Sequence, residues 1–358
     1  LNKVKGQVMV VCLNSQPPVY FHNLNINLRL SEDYLSDADY KYIDQFALAL
    51  TRTWYLVKDK GGLGITEYEN IQLASLTEYD FQMFLICRIK NLEVINRVVK
   101  LENPQQIITL EDTGELSDAA SIISQLNNIS LLSLSNKPLF HFRGILKVKI
   151  RTKLSDIFYL SLFDPLIRIF LRKTRLNNLI LIDPRAHALL TGPHRLENFI
   201  FCPIEKGLPN RLYSLMRKKL YISFDIPLSG KTKRQIDGQK DRFFARWNEL
   251  SIDPSFKDRF TYKDISIWSL VESKLFQFFK ERFPRILKLI TQVKEFHKDK
   301  TIKSIILRAD GREMEKTIVR AVEELNIPTL NITHGVLSEN NGYDILFCTK
   351  TAVWGQAD

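Results

Sequence analysis

Four short clusters carry residue types that could do chemistry, and each directly follows an apolar run that reads as a buried strand. Glu111-Asp112-Thr113-Gly114 follows residues 107–110, and Asp183-Pro184-Arg185-Ala186-His187 closes and follows 179–183. Arg308-Ala309-Asp310-Gly311-Arg312 follows 304–307, and His334-Gly335 follows 329–333. In open α/β sheets ligands bind where loops leave the carboxyl ends of strands, so position alone makes these candidate sites. The His334 imidazole titrates near neutrality and can take a proton from a hydroxyl or donate to a phosphate oxygen. Gly335 lets the backbone turn sharply or approach a ligand closely. A histidine bonded to backbone at the strand end is the structural alternative. Arg308 and Arg312 flank a loop suited to a diphosphate, with ion pairing to Glu313 or Glu315 as the alternative. Asp183 and Arg185 could hold a phosphate or sugar hydroxyls, or form a simple turn. Glu111 is open to the same two readings.

The usual signatures of other chemistries are missing. No HExxH, GxSxG or GxGxxG run occurs, which leaves metalloprotease, hydrolase and dinucleotide readings without support. Gly230-Lys231-Thr232 lacks the upstream glycine of a phosphate loop, and 229–239 is expected to be a polar, basic loop. Gly61-Gly62-Leu63-Gly64 reads as a flexible turn. Cys12, Cys87, Cys202 and Cys348 lie far apart in apolar stretches without a CxxC pair. They are expected to be reduced core residues, and no metal site is expected.

The elements that must position these clusters alternate. Strands are expected at 8–13, 107–110, 129–134, 179–183 and 199–202, and helices at 40–57, 79–101 and 116–126. A long helical region spans 269–297, where Pro284 marks a break or a new first turn. The last 60 or so residues read as strand 304–307, helix 313–325 and strand 329–333, then short strands at 345–348 and 352–354. Alternation of this kind specifies an α/β fold: a Rossmann-like parallel sheet flanked by helices.

Residues 140–177 differ from their surroundings. They carry nine Lys or Arg against Asp156 and Asp164, with apolar residues interleaved and no uncharged run approaching the ~20 residues of a spanning helix. A basic amphipathic segment on an anionic membrane surface is one reading, and a helix packed on its own sheet with lysines outward is the other. The organisation expected is a first α/β segment at 1–138, this connecting segment at 139–178 and a second α/β segment at 179–358. The net charge of +11 over 358 residues suits nucleic acid, an anionic membrane surface or phosphate-bearing substrates. Nucleic acid is not expected, because the aromatics sit in core-like runs and no recognition motif is visible. The chain opens on Leu1 and stops at Asp358 just after a hydrophobic segment, so it is expected to belong to a longer protein. No signal peptide is expected.

The run Asp310, Ile327-Pro328-Thr329-Leu330, His334-Gly335, Lys350, Ala352-Val353-Trp354-Gly355 is more specific. It resembles a stretch of bacterial surface-polysaccharide enzymes, the GT-B-type glycosyltransferases and the related CDP-glycerol glycerophosphotransferases. There a helix and Ile-Pro-Thr lead into a strand ending in Gln-His-Gly or a variant, and Trp-Gly marks the crossing into a second domain. Thr333 stands here where glutamine is more usual. The resemblance covers 303–358 well and 260–297 loosely. It implies the N-terminal, acceptor-side domain of a two-domain transferase with its active site in the interdomain cleft. His334 would be the base, and Gly335, Asp310 and Arg312 would face substrate; Asp183, Arg185 and Glu111 are substrate-binding candidates by their position after strands, not by the resemblance. The donor would be a nucleotide-activated sugar, held mainly by a C-terminal domain that follows, with a saccharide or lipid-linked acceptor and no resident cofactor. Such an enzyme works in the cytoplasm, at the inner face of the plasma membrane. A nucleotide-sugar 2-epimerase of the same architecture and a non-catalytic basic binding domain are the competing expectations.

Overall fold

The computed structural model describes residues 8–13, 27–58, 64–110, 115–134, 179–182, 199–201, 228–307, 311–332 and 347–352. In chain order the strands and helices are β1 (Met9–Cys12), β2 (Asn27–Leu30), α1 (Asp37–Thr53), β3 (Glu67–Tyr68), β4 (Ile71–Gln72) and α2 (Glu78–Glu102). Then come β5 (Gln106–Leu110), α3 (Glu115–Asn127), β6 (Ser130–Leu134), β7 (Leu179–Ile182) and β8 (Phe199–Phe201). The rest are α4 (Gly230–Leu250), α5 (Pro254–Lys257), β9 (Thr261–Tyr262), β10 (Ile265–Ser266) and α6 (Trp268–Gln277). They end with α7 (Phe283–Asp299), β11 (Ile302–Leu307), α8 (Glu313–Glu323), β12 (Thr329–Ile332) and β13 (Lys350–Ala352). The fold is mixed α/β, with short parallel strands in small sheets. It divides into two compact units, each discontinuous in sequence.

The first unit takes Leu1–Trp54, Phe81–Lys137 and Asp253–Lys274. β1 pairs in parallel with β2, and β5 pairs in parallel with β6 across α3. Ser36 starts α1 as a capping box: its hydroxyl accepts from the Asp39 amide, and the Asp39 carboxylate accepts from the Ser36 amide at 2.9 Å. Phe81, Leu85, Ile89 and Leu92 recur at four- and three-residue spacing on α2 and are buried. The β9–β10 hairpin turns through Lys263 and Asp264, both at positive φ, the geometry of a type I′ turn. Lys263 then reaches the buried Glu93 of α2 at 2.9 Å, and Arg97 holds Glu93, Asp39 and the carbonyl of Tyr34.

The second unit takes Tyr55–Asp80, Pro138–Ile252 and Leu275–Asp358. Its centre is a five-stranded sheet, ordered β8-β7-β11-β12-β13, with every neighbouring pair parallel. Leu181, Ile305 and Thr329 are register partners across β7, β11 and β12. Ile318, Val319 and Val322 of α8 and Ile286, Leu287, Ile290 and Val293 of α7 are buried, the apolar stripes that cover a parallel sheet. Phe278–Arg282 forms a π turn between α6 and α7. Pro284 lies in the first turn of α7, two residues beyond the π turn, where its missing N–H interrupts the ladder of a run that is helical on both sides.

Four expectations need correction. Residues 230–239 are not a loop: they form the first half of α4. Ser229 caps it by accepting from the Thr232 amide at 3.1 Å, and the long Lys, Arg and Gln side chains favour a helix more than their polarity suggests. Its anchorage comes later, from buried Phe243, Trp247 and Leu250. Phe347 and Cys348 lie outside any strand, and β13 begins at Lys350 rather than 352. Cys87 is exposed and Cys12 and Cys348 are only half-buried, so these three are not core residues; Cys202 lies outside the described residues. The proposed strand and helix limits otherwise shift by a few residues, as frayed ends do. The 139–178 segment lies outside the described residues.

Candidate functional site

The order β8-β7-β11-β12-β13 reverses direction at β7: the chain goes outward from β7 to β8, then returns to β11 on the other side and continues through β12 to β13. In parallel sheets such a reversal leaves a crevice at the carboxyl ends of the two strands beside it, because the loops leave in opposite directions. Those strands are β7 and β11. Asp183 directly follows β7, Arg308 directly follows β11, and His334 comes two residues after β12, the next neighbour of β11. Asp183, Arg185, Asp310, His334, Gly335 and Glu111 themselves lie outside the described residues. What the structure places side by side is the set of strands leading to Asp183, Asp310 and His334.

Arg312 is described. It is exposed, with extended backbone at φ −90° and ψ 156°, and it precedes α8 as the N-cap residue. Its carbonyl accepts the first helical bond, from the Lys316 amide at 2.9 Å. The expected alternative, an ion pair with Glu313 or Glu315, does not form. Glu313 is taken instead by Arg282, at 2.6 Å, and by Arg285. Among the described residues Arg312 has no ion pair. Arg282 also reaches Asp80 at 2.9 Å. Burial works against its charge, and Glu313 and Asp80 outweigh that, holding it above the ordinary guanidinium value.

After β12 the described residues resume at Phe347. The Phe347 ring lies 4.5 Å from the Lys316 ammonium and 5.1 Å from the Arg320 guanidinium, a double cation–π clamp from α8. Lys316 is only 1% exposed. Two residues on, the Thr349 amide donates to the Thr329 hydroxyl at 2.9 Å, and the Thr329 amide donates to the Thr349 hydroxyl at 3.2 Å. These contacts hold Phe347 to α8 and Thr349 to the amino end of β12.

The first unit has a parallel edge of a different kind. Thr109 of β5 and Ser133 of β6 are register partners, and Ser117, in the first turn of α3, bridges them. Its hydroxyl lies 3.1 Å from that of Thr109 and 2.7 Å from that of Ser133. The Glu111-Asp112 cluster is on the connection between β5 and α3. Hydroxyls both donate and accept, so this edge can bond neutral polar groups, whereas the guanidinium edge favours anionic oxygen.

Sequence reasoning missed Arg282, Arg285, Lys316 and the Thr109–Ser117–Ser133 trio. The first two lie in a region whose apolar stripe dominates its pattern, and the only signal was an arginine pair opposite an acidic helix start. The trio had none, since serine and threonine in a βα turn are ordinary.

Among the described residues no group of His, Cys, Asp and Glu is arranged to hold a metal ion, and no helix is long and apolar enough to cross a membrane. Comparison with family models, with characterised proteins and with solved structures finds no match to this chain.

Proposed function

We propose that the chain is the acceptor-side part of a Rossmann-like, GT-B-type glycosyltransferase, moving a sugar from a nucleotide-activated donor to a surface-polysaccharide or lipid-linked acceptor. The observation that carries this reading is the reversal of strand order between β7 and β11, since those two strands and β12 lead to Asp183, Asp310 and His334. The motif that resembles the surface-polysaccharide enzymes and the crevice expected from topology therefore coincide, although each was reached by a separate route.

In this reading His334 removes the proton from the acceptor hydroxyl as it attacks the anomeric carbon, and Gly335 lets the backbone approach. Arg312, with the amino end of α8, faces the negative charge that builds on the leaving nucleoside diphosphate. Asp183, Arg185 and Asp310 orient hydroxyls or phosphate, and Glu111 is a further substrate-binding candidate. The donor's base is bound mainly by a further domain, and no resident cofactor takes part. The basic 140–177 segment would keep the enzyme at the inner, anionic face of the plasma membrane, beside a lipid-linked acceptor.

The test is His334→Ala in the full-length protein, assayed for transfer from radiolabelled UDP-sugars and, in parallel, from CDP-glycerol. Loss of general-base assistance predicts a drop in kcat of ~10²–10⁴-fold with donor affinity retained. Turnover from CDP-glycerol alone would reassign the chain to the glycerophosphotransferases. Unchanged turnover in the variant removes His334 from the chemistry.

A further inference from the structure

The turn Phe278–Arg282 is wound as a π-helix between two α-helices. Insertions of this kind are rare and occur often at functional sites, because the extra residue re-aims the side chains after it. Here the aromatic side of the turn is locked. Phe278, Phe279 and Phe283 are fully buried, Phe279 meets Phe283 edge-on at 5.2 Å, and Trp247 and Phe243 of α4 pack against the same group. With that side fixed, the last residue of the turn, Arg282, is held toward two carboxylates from separate elements, Asp80 and Glu313.

Glu313 is the first residue of α8, and Arg312 precedes it. The Glu313 side chain is 12% exposed and Arg282's is 23%, so the pair is shielded far more than Arg285, at 62%. Fixing Glu313 fixes the start of the helix, and one peptide bond earlier it fixes the Arg312 backbone. Arg282 donates to Glu313 and Asp80 together, while Arg312 is left without an ion pair among the described residues.

We propose that Arg282 is a positioning residue: through Glu313 it sets where the amino end of α8 lies and so where Arg312 presents its guanidinium. This rests on the reading that Arg312 faces an anionic group of the substrate. It deepens that reading by assigning the π turn a role in it. A lysine at 282 could satisfy one carboxylate but not bridge both with a planar fork, so the conservative change is informative.

The experiment uses the full-length protein with Arg282→Ala, Arg282→Lys, Arg312→Ala and the Arg282→Ala/Arg312→Ala pair. It has two readouts: hydrogen–deuterium exchange at the amides of 316–319, the first that bond within α8, and inorganic pyrophosphate affinity by calorimetry. Arg282→Ala is expected to raise exchange at these amides at least tenfold, while Arg282→Lys recovers part of the protection and Arg312→Ala leaves it at the parental level. Arg282→Ala and Arg312→Ala are each expected to weaken pyrophosphate about tenfold, and the pair no further, as coupled residues do. Exchange unchanged in Arg282→Ala, or losses of affinity that multiply in the pair, overturns the proposal. Pyrophosphate binding indifferent to Arg312→Ala sinks the substrate-facing reading instead, and the exchange arm still decides whether Arg282 positions α8. Should the alanine variant unfold, Arg282→Lys alone serves, with intermediate exchange expected and parental exchange at 316–319 counting against the idea.

Discussion

The two parallel edges of this molecule handle charge differently. In the first unit most of the ion pairing braces α1, α2 and the β9–β10 hairpin through Arg97, Asp39, Glu93 and Lys263. Three linked hydroxyls mark the β5–β6 edge, with the Arg88–Asp118 pair at 3.3 Å one residue from Ser117. In the second unit an ion cluster stands at the edge. Arg282, Arg285 and Glu313 meet at the start of α8, where Arg312 is exposed. A neutral hydroxyl edge suits a ligand recognised by hydrogen bonds, and a cationic edge suits one that carries or develops negative charge.

The comparison breaks most readily at Glu313. Replacing it with glutamine removes the charge that Arg282 and Arg285 share and leaves two guanidinia facing each other at the second unit's edge. Breaking one partner of a largely shielded pair should cost about 1–3 kcal/mol, measured as a lower urea midpoint with unchanged slope. A change within error would mean that Asp80 and solvent hold Arg282 well enough alone, and that the edge is less electrostatic than its geometry implies.

A smaller effect sharpens the neutral side. Thr109 is 3% exposed, and its hydroxyl meets Ser117 while its methyl packs in the core. Thr109→Val keeps the volume and removes its hydroxyl bond to Ser117, so the expected loss is about 1 kcal/mol. Chemical denaturation at 0.05 and 0.5 M salt provides the check. The loss in Thr109→Val should be independent of salt, whereas that in Glu313→Gln should change with it, since only ionic interactions are screened. Equal salt sensitivity in both variants would erase the distinction between the edges.

Much of this architecture was legible in the chain, for reasons that vary by element. The β11–α8–β12 stretch shows a short apolar strand, a helix with Ile318, Val319, Ala321 and Val322 along one face, and Pro328 at the restart, so local pattern and global fold agree. The two hairpins were invisible. Their type I′ turns use Lys263-Asp264 and Glu69-Asn70 at positive φ where the familiar signal would be Asn-Gly, and strands of two residues carry no alternation. α4 was misread because its first half has almost no apolar face and takes its stability from a cap and from packing further along. The site was legible only as positions in sequence. Asp310, Arg312 and His334 follow strands and could be named, but that β7 neighbours β11 is a fact of sheet order, set by pairing between segments more than 100 residues apart. Arg282 could not be found at all, since nothing local to a helix-forming run announces a π turn.

The smallest effect concerns pH, and it separates the units by where their carboxylates are held. Asp39 lies in the first unit. Its carboxylate accepts from the Ser36 hydroxyl and amide and pairs with Arg97, and these bonds, the Ser36 hydroxyl foremost, bring its pKa down to about 2 against an opposing burial effect. A carboxyl depressed in the folded state stabilises it fully above the unfolded value of ~4, and that contribution disappears as pH falls from there through about 2. Because the group is near the surface and partly screened, the contribution should be below about 1 kcal/mol. The clean measurement is the difference between parent and Asp39→Asn in urea unfolding at pH 5 and again near pH 2.5. The parent should be the more stable at the higher pH, and the gap should narrow at the lower. The absence of any gap at pH 5 would show that the bonds to Ser36, which asparagine can also accept, and not the charge shared with Arg97, are what Asp39 supplies to the helices of the first unit.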